Sequence, residues 1–265
     1  MTLPRLDPYL QRIGEPLEDL SRIAASQPYE SLGPLLPRAA LNILAGSGGK
    51  VTLGLKELVE SGLATEDGKL TEQGQLVKQI LTKPTARIRL ESARGRATLT
   101  FEAYVYAGQA VLLASASPAS LVEVPHGEDI LTASATVRLD FVDVSYVPIA
   151  LAAWAGVAPA WSLATSPELI DEELLVHRAD DPAVAPPADA DEHLKYVWSQ
   201  PWFLWTLTGT GLDSGLVMVN AGPAGHFALT EGEGKKARFT AYPSMFLWQK
   251  LVALVEQSVT AIAAS

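Results

Sequence analysis

The sequence predicts an α+β fold with two quasi-symmetric halves, each an antiparallel strand meander followed by a helix, and with a helical segment at the N-terminus. Three observations support this prediction. Runs of strand-forming residues occur in two groups of four, each group is followed by a proline that begins an apolar helical run, and the first 84 residues instead have helical periodicity. Identity between the halves is low, so an internal duplication and a chance similarity of two α+β units both stay open.

Residues 1–84 are predicted to form an N-terminal helical segment with a helix-turn-helix-like part. Residues 5–45 have apolar residues at helical spacing that prolines interrupt, and "PRAALNILAG" ends in a glycine that stops a helix. A further apolar stripe at helical spacing consists of Leu55, Leu58, Val59 and Leu63. From Thr71 to Leu81 another helical pattern ends before Pro84. These patterns predict a helical unit ahead of the strands.

Residues 85–160 are predicted to form the first strand meander with its helix. Four runs with strand composition are separated by turn-like pieces, and they are "ARIRLES", "ATLTFEAYVYA", "QAVLLASA" and "SLVEVP". After the alternating segment "SATVRLDFVDVS", the run "YVPIALAAWAGV" predicts a helix that begins at a proline.

Residues 161–200 are predicted to be an acidic helical linker, and residues 201–265 the second meander with a C-terminal helix. The linker prediction rests on two short acidic helical pieces that a stretch rich in Pro, Ala and Asp joins. The second group of strands is "WFLWTLTG", "GLVMVNAG", "GHFALTEG" and "KKARFTAY", before the helix "PSMFLWQKLVALVEQSVTAIA". Apolar residues on both faces of "WFLWTLTG" predict a central strand that is covered on both sides.

Composition excludes several classes of protein. The chain has 265 residues, of which 48% are hydrophobic and 19% charged, as in a globular protein with a substantial core. Its 30 acidic and 20 basic residues give a net charge of -10, which opposes a general attraction to nucleic acid or to anionic membrane. The chain contains no cysteine, which excludes disulfides, thiolate metal sites and cysteine nucleophiles. Without a signal-peptide pattern or a membrane-spanning run, we expect a cytoplasmic protein that has no membrane partner.

The glycine-rich stretch "LAGSGGKVT", Leu44 to Thr52, is a candidate catalytic loop. A phosphate-binding loop requires glycine, four residues and then Gly-Lys-Ser/Thr, but Leu44 stands at the first glycine and Val51 follows the lysine. Ser47 and Lys50 have the Ser-x-x-Lys spacing of penicillin-recognising enzymes, yet the two glycines between them oppose the helix that such a site needs. We therefore predict a flexible turn between helices.

Other residues do not combine into a catalytic, cofactor or metal site. The segment "GLDSG" lacks the Gly-x-Ser-x-Gly spacing of a nucleophile elbow. The histidines have no second ligand three or four residues away on an apolar face, and they are His126, His177, His193 and His226. We predict that the protein is not an enzyme and has no cofactor and no metal.

Two strands contain the residues that we predict to bind a partner. One face of "ATLTFEAYVYA" is apolar and suits a core, whereas the other presents Thr100, Glu102, Tyr104 and Tyr106. Such a mixture of semi-apolar and hydrogen-bonding side chains is enriched where another protein docks, although helices of the protein itself could equally cover this face. Trp202 is the surface candidate among the tryptophans of the second half, because it begins its strand.

Residues 37–91 favour an alternative function, that of a DNA-binding transcriptional regulator containing a winged helix. The order of a helix, a glycine turn and a second helix, followed by "ATEDGKLTEQGQLVKQI", is typical of that motif. The segment is also richer than the rest of the chain in basic residues, namely Lys50, Lys56, Lys69, Lys78, Lys83, Arg87 and Arg89. Against this, the predicted recognition helix carries Glu57 and Glu60, so its attraction to phosphates is weak. We expect no nucleic acid partner.

A family resemblance rests on "LKELVESGLATEDGKLTEQGQLVKQILTKPTARIRLES", on "ATLTFEAYVYAGQAVLLASASPASLVEV" with the proline-started helix after it, and on "GHFALTEGEGKKARFTAYPSMFLWQKLVALV". In these runs the chain resembles the EspG family of type VII (ESX) secretion chaperones of actinobacteria. The resemblance covers roughly residues 55–160 and 200–260. Two features depart from the family: the N-terminus is predicted helical where the family opens with a strand, and Asp180 to Asp191 has no counterpart.

The resemblance implies a distant member of that family. It implies a cytosolic chaperone without a cofactor that binds a helical secreted protein, PE/PPE-like or WXG-like, and holds it soluble before type VII export. The residues themselves independently favour protein–protein recognition through a sheet and its flanking helices. Our prediction from the sequence is therefore a protein-binding chaperone or adaptor.

Overall fold

The structure is a computed structural model that describes residues 12–13, 29–45, 54–94, 97–118, 133–158, 162–213 and 215–260. It confirms the α+β class. The strands are β1 (Arg12–Ile13), β2 (Leu35–Pro37), β3 (Ala86–Arg94), β4 (Ala97–Tyr106), β5 (Gln109–Ala114), β6 (Thr136–Asp143), β7 (Ser162–Leu163), β8 (Leu169–Asp171), β9 (Phe203–Gly209), β10 (Leu216–Asn220), β11 (His226–Glu231) and β12 (Lys236–Ala241). The helices are α1 (Arg38–Leu44), α2 (Leu55–Glu60), α3 (Glu72–Thr82), α4 (Val147–Trp154), α5 (Glu172–Asp180), α6 (Glu192–Ser199) and α7 (Ser244–Thr260). Short 3-10 turns lie at Val144–Tyr146 and Gly222–Ala224.

Ten of the described strands form one antiparallel sheet in the order β2-β6-β5-β4-β3-β9-β10-β11-β12-β8, and β1 pairs with β7 apart from it. This order is symmetric about the β3–β9 pair, where Leu90 lies opposite Leu207. Each half contributes an outer strand, helices, four meander strands and a closing helix in the same sequence order. The two quasi-symmetric halves predicted from the sequence are therefore joined into one sheet.

Both closing helices lie on the same side of the sheet, which we call face A. On β4 the residues Leu99, Phe101, Ala103 and Val105 point to this side and form a core with α4 and α7. Helix α4 is buried along almost its entire length, which explains its uniformly apolar sequence. Pro148 lies in its first turn, where a missing backbone N–H costs nothing.

The opposite side of the sheet, face B, is covered by a different group of helices in each half. In the first half α1, α2 and α3 pack over β5 and β6. Thr71 begins α3, and its hydroxyl accepts a hydrogen bond from the N–H of Gly74 at 3.1 Å. In the second half α5 and α6 pack over β10, β11 and β12. The molecule is thus three layers deep, with helices on both sides of the sheet.

Two predictions about the first half require correction. Within residues 5–45 the structure has the predicted helix at Arg38–Leu44, but Leu35–Pro37 forms an edge strand beside β6 instead of a helix. An edge strand tolerates proline because not every backbone N–H in it has to donate to a neighbouring strand. Arg12–Ile13 likewise pairs with Ser162–Leu163. The fourth meander strand is Thr136–Asp143 rather than "SLVEVP", residues 120–125, which lies outside the described residues.

The segment predicted as an acidic linker, residues 161–200, is an integral part of the second half. It contributes β8 to the sheet and the helices α5 and α6. Leu194, Val197 and Trp198 of α6 are buried against the second half of face B. The acidic residues occupy the helix starts, where Asp171 and Asp191 cap the first turns of α5 and α6. Their charge therefore reflects helix capping as well as exposure.

Candidate functional site

The predicted binding residues of β4 lie on face B beneath the helices of the first half. Thr100 is 3% exposed, and its hydroxyl accepts a hydrogen bond from Nη2 of Arg38 at 2.6 Å. Glu102 is 6% exposed. Tyr104 and Tyr106 are half-buried and pack against the first-half helices. Thr100 and Glu102 are thus enclosed by the protein itself, which corrects their assignment to an exposed docking face.

A charged network surrounds Glu102 near the centre of face B. Its carboxylate lies 2.5 Å from Nη2 of Arg87 and 3.5 Å from Nη1 of Arg89, and it accepts a hydrogen bond from the Tyr104 hydroxyl at 3.2 Å. Arg89 also pairs with Glu91. Burial and the charge of Glu102 raise the pKa of Tyr104 above its ordinary value. Two arginines and two glutamates therefore hold one another on β3 and β4, next to the β3–β9 pair.

Trp202 also lies inside the fold, in the core of the second half. Its ring stacks on Phe239 at 5.4 Å between centroids and meets Trp198 edge-on at 4.9 Å. The indole N–H donates to the carbonyl of Val197 at 2.8 Å. The guanidinium of Arg178 lies 4.8 Å from the ring centre. Trp202 remains half-buried, and its contacts are those of a packed core residue.

A groove with a mostly apolar lining lies on face A, between the two closing helices. It has a volume of about 650 Å³, and we call it the α4–α7 groove. Its apolar lining comprises Val144, Pro148, Ile149, Trp248, Val252, Ala253, Val255 and Val259. Ser145, Gln249, Glu256 and Thr260 supply the polar part of its lining. The lining of the groove is therefore mostly apolar and includes the carboxylate of Glu256.

The sequence of α7 contains a signal for this groove, which the alternation patterns of the strands do not show. Helix α7 has one apolar stripe that is buried against the sheet, formed by Leu247, Leu251, Leu254 and Val255. A second stripe at helical spacing consists of Trp248, Val252 and Val259. A helix that only covered a sheet would need the first stripe alone. The excess of apolar residues on α7 is what the α4–α7 groove exposes.

The basic excess of residues 37–91 is largely neutralised in the structure. Lys56 pairs with Glu60, and Lys69 pairs with Asp67 at 2.7 Å. Arg87 and Arg89 belong to the Glu102 network. In the described part of the segment, Arg38 instead donates to the Ser134 carbonyl and the Thr100 hydroxyl. Lys78 and Lys83 form no ion pair there, and both line a shallow surface beside α3 with three glutamines. The surface therefore has little net positive charge for a DNA backbone.

The described residues contain no cluster of potential metal ligands. No group of three or more His, Asp or Glu side chains there is placed to hold a metal ion. Residues 46–53, which include most of the glycine-rich stretch, lie outside the described residues. None of the described helices has the length and apolarity that crossing a membrane requires.

Comparison of the sequence with known proteins adds no assignment. No protein-family model matches the chain, and no curated protein matches it either.

Proposed function

We propose that this protein is a cytoplasmic chaperone or adaptor that binds an amphipathic helical segment of another protein in the α4–α7 groove. The single observation that carries this proposal is an open, mostly apolar groove of about 650 Å³ between the two closing helices α4 and α7. Exposed apolar grooves of this kind fit the apolar stripe of a partner helix. Trp248 is half-buried at the groove, and tryptophan is a frequent anchor at protein interfaces.

Charge defines the kind of helix that the groove suits. Its lining contains Glu256 and neither lysine nor arginine among the described residues. Asp143, which immediately precedes the groove residue Val144, is exposed as well. The net charge of the chain is -10. A helix with an apolar stripe and flanking lysines or arginines is therefore the favoured partner, because complementary charge speeds association and orients it.

The role before export is proposed from the family resemblance. A chaperone that resembles EspG would hold a helical secreted protein, PE/PPE-like or WXG-like, in the cytoplasm until type VII export. Covering the apolar stripe of such a partner would keep it soluble and monomeric. Tyr104 and Tyr106 remain predicted contacts, because they are half-buried at the edge of the first-half helices.

A substitution within the groove tests this proposal. Val252→Arg places a cation and a long side chain on the groove floor, and Phe246→Arg is the matched control, since Phe246 is 44% exposed on the same helix and does not line the groove. Tagged wild type and both variants, with circular dichroism to confirm folding, are used to capture partners from host cells. We expect a stoichiometric helical protein that Val252→Arg loses and Phe246→Arg retains.

Two results would argue against the groove. Equal capture by Val252→Arg and wild type would place binding elsewhere, and loss with Tyr106→Arg instead would place it on face B. Recovery of no stoichiometric protein by the folded wild type would remove the chaperone proposal itself.

The transcriptional regulator stays an alternative proposal. It rests on the helical order α1, α2, α3 before the β3–β4 hairpin, and on Lys78 and Lys83 beside α3. Duplex DNA binding that weakens steeply as salt rises, and that is lost when both lysines become glutamine, would favour it over the chaperone.

A further inference from the structure

A buried arginine in the second half makes no ion pair among the described residues. Arg178 of α5 is 2% exposed. Its Nε and Nη2 donate to the carbonyl of Trp198 at 3.0 and 2.7 Å, and Nη2 also donates to the carbonyl of Gln200 at 2.6 Å. It forms no ion pair with any carboxylate in the described part of the chain. Buried charges in proteins are ordinarily paired, because desolvation of an uncompensated charge is costly.

The same arginine lines a cleft. The cleft has a volume of about 300 Å³ and lies between the end of α5, the connection from α6 to β9 and the adjoining ends of β3 and β4. Its apolar walls include Leu99, Pro118, Pro182, Pro201, Trp202 and Phe203. Ser92, Ser199 and Gln200 add polar groups. This volume is at the lower end of what small-molecule sites occupy, about 300 Å³, and such sites combine apolar walls with a few polar groups.

The hydrogen bonds of Arg178 leave part of its guanidinium available. The two carbonyls occupy the N–H groups of Nε and Nη2, and the ring of Trp202 covers one side of the guanidinium. Nη1 has no acceptor among the described residues. Asp180 lines the cleft as well without pairing with Arg178. Asp181 is close enough for its charge to favour the Arg178 cation, but it makes no ion pair with it. A purely structural arginine that holds the end of α6 explains the bonds to Trp198 and Gln200, but not the open cleft beside it.

We propose that this cleft binds a small organic carboxylate with an apolar or aromatic body. The carboxylate accepts hydrogen bonds from Nη1 of Arg178 and supplies a negative charge in direct contact with the guanidinium. The apolar body lies against Trp202 and the proline-rich wall. The carboxylate belongs either to a free small acid or to an acidic side chain next to an aromatic residue in a peptide. This site is separate from the α4–α7 groove, so its test does not depend on the proposed chaperone function.

Phenylacetate and phenylacetamide are matched probes, because they share a ring and differ in the charge of the head group. Titration of the full chain is followed by calorimetry and by the NMR signals of the tryptophan indole N–H groups. We expect saturable binding of phenylacetate that weakens with added salt, together with a shift of the Trp202 indole signal and at least about tenfold weaker binding of the amide. Absence of saturable binding, or equal binding of both probes, overturns the proposal.

Variants that leave the hydrogen bonds of Arg178 in place keep the test independent of folding. Ala179→Leu fills the cleft from α5, and Val176→Leu is its control, since Val176 is 55% exposed on the same helix and does not line the cleft. We expect the first variant to lose phenylacetate and the second to bind it like wild type. Asp180→Asn removes a competing negative charge and should tighten binding by about two- to fivefold. If the role of Arg178 were purely structural, Asp180→Asn would have no effect on ligand binding.

A short peptide with adjacent phenylalanine and glutamate distinguishes the two sources of the carboxylate. Binding of this peptide in competition with phenylacetate supports a peptide ligand, and binding of phenylacetate alone supports a free acid. Retention of phenylacetate binding by Ala179→Leu would overturn the location of the site.

Discussion

At the residue scale, buried ionisable side chains show how the fold tolerates polar groups in its interior. Glu102 is enclosed with two arginines and a tyrosine hydroxyl. Arg178 has carbonyl acceptors and an aromatic ring instead of a carboxylate. His226 is buried without a described partner for Nδ1, and burial lowers its pKa to about 4. Each arrangement has a different consequence for stability.

Replacing Glu102 with glutamine tests the network on face B. Glu102→Gln removes the buried charge and leaves Arg87 and Arg89 without it. Because the arginine side chains are 45% and 37% exposed, water compensates part of the loss, and we expect about 1–2 kcal/mol lower free energy of unfolding in urea titrations. Glu91→Gln is the control, and its exposed pair should contribute less than about 0.5 kcal/mol. Equal effects of the two variants would contradict the importance of burial.

His226 predicts a pH dependence of stability below neutrality. The histidine is buried in its neutral form, whereas in the unfolded chain it takes up a proton near its ordinary pKa of 6.5. Since the unfolded state binds more protons, the stability that the neutral His226 contributes is fully present above pH 6.5 and decreases as the pH falls toward about 4. From pH 7 to 5.5 we expect a loss of about 1 kcal/mol in urea unfolding.

His226→Leu keeps a buried side chain without a titrating group, so the slope between pH 7 and 5.5 should become nearly flat. The control is His177→Gln, which changes an exposed histidine of α5 and should leave the slope as in wild type. A slope that His226→Leu leaves unchanged would assign the pH dependence to other groups.

At the element scale, the packing of helices against each other depends on close backbone approaches as well as apolar stripes. Gly54 precedes α2 with a φ of 94°, and a Cβ there would lie 2.6 Å from Cβ of Ala40 in α1. On face A, α7 has a second apolar stripe that no described element covers completely. Helix contacts in the first half are therefore tight, whereas those between α4 and α7 leave a groove.

Two glycines of similar conformation separate the effect of contact from that of backbone strain. Gly54→Ala introduces both a positive-φ side chain and a clash with α1, and we expect a loss of more than about 2 kcal/mol in the free energy of unfolding. Gly62 has a φ of 72° with open space around it, so Gly62→Ala should cost only about 1 kcal/mol. Thermal unfolding of both variants provides the comparison, and equal losses would mean that the contact with Ala40 adds nothing.

At the scale of the whole molecule, the continuous sheet couples the two halves. The β3–β9 pair joins the halves by backbone hydrogen bonds, and Leu90 and Leu207 are buried beneath it in the core of face A. That core includes residues of both halves, such as Phe101 and Trp205. The halves have separate cores only on face B. We therefore expect them to unfold together rather than as independent domains.

Shortening a buried side chain at the β3–β9 pair tests this coupling. Leu207→Ala creates a cavity in the shared core and should lower the free energy of unfolding by about 2–5 kcal/mol. Hydrogen exchange followed by mass spectrometry should show equal loss of protection in β5 and β11, with one cooperative transition. Leu35→Ala at the sheet edge, where Leu35 is 49% exposed, should cost less than about 1 kcal/mol. Loss of protection in β11 alone would show that the halves unfold separately.

The α+β class, most strands of the two meanders and the two closing helices were predictable from the sequence alone, whereas the fourth strand of the first meander was not. Local patterns determine them: alternation in "ATLTFEAYVYA", apolar residues on both faces of "WFLWTLTG", and prolines at the starts of α4 and α7. The repetition of one order of elements also predicted the symmetry that the sheet displays. These features depend on residues close together in the chain, and one sequence is enough to specify them.

Only the tertiary structure decided which faces are covered. The pattern on β4 distinguishes two faces, but burial of Thr100 and Glu102 results from α1, α2 and α3, which pack on it from a distant part of the chain. The edge strand Leu35–Pro37 exists because β6 pairs with it. The α4–α7 groove likewise forms where helices from the two halves meet over a shared sheet. Periodicity determines local elements, whereas exposure depends on long-range packing, and a binding surface is defined by exposure.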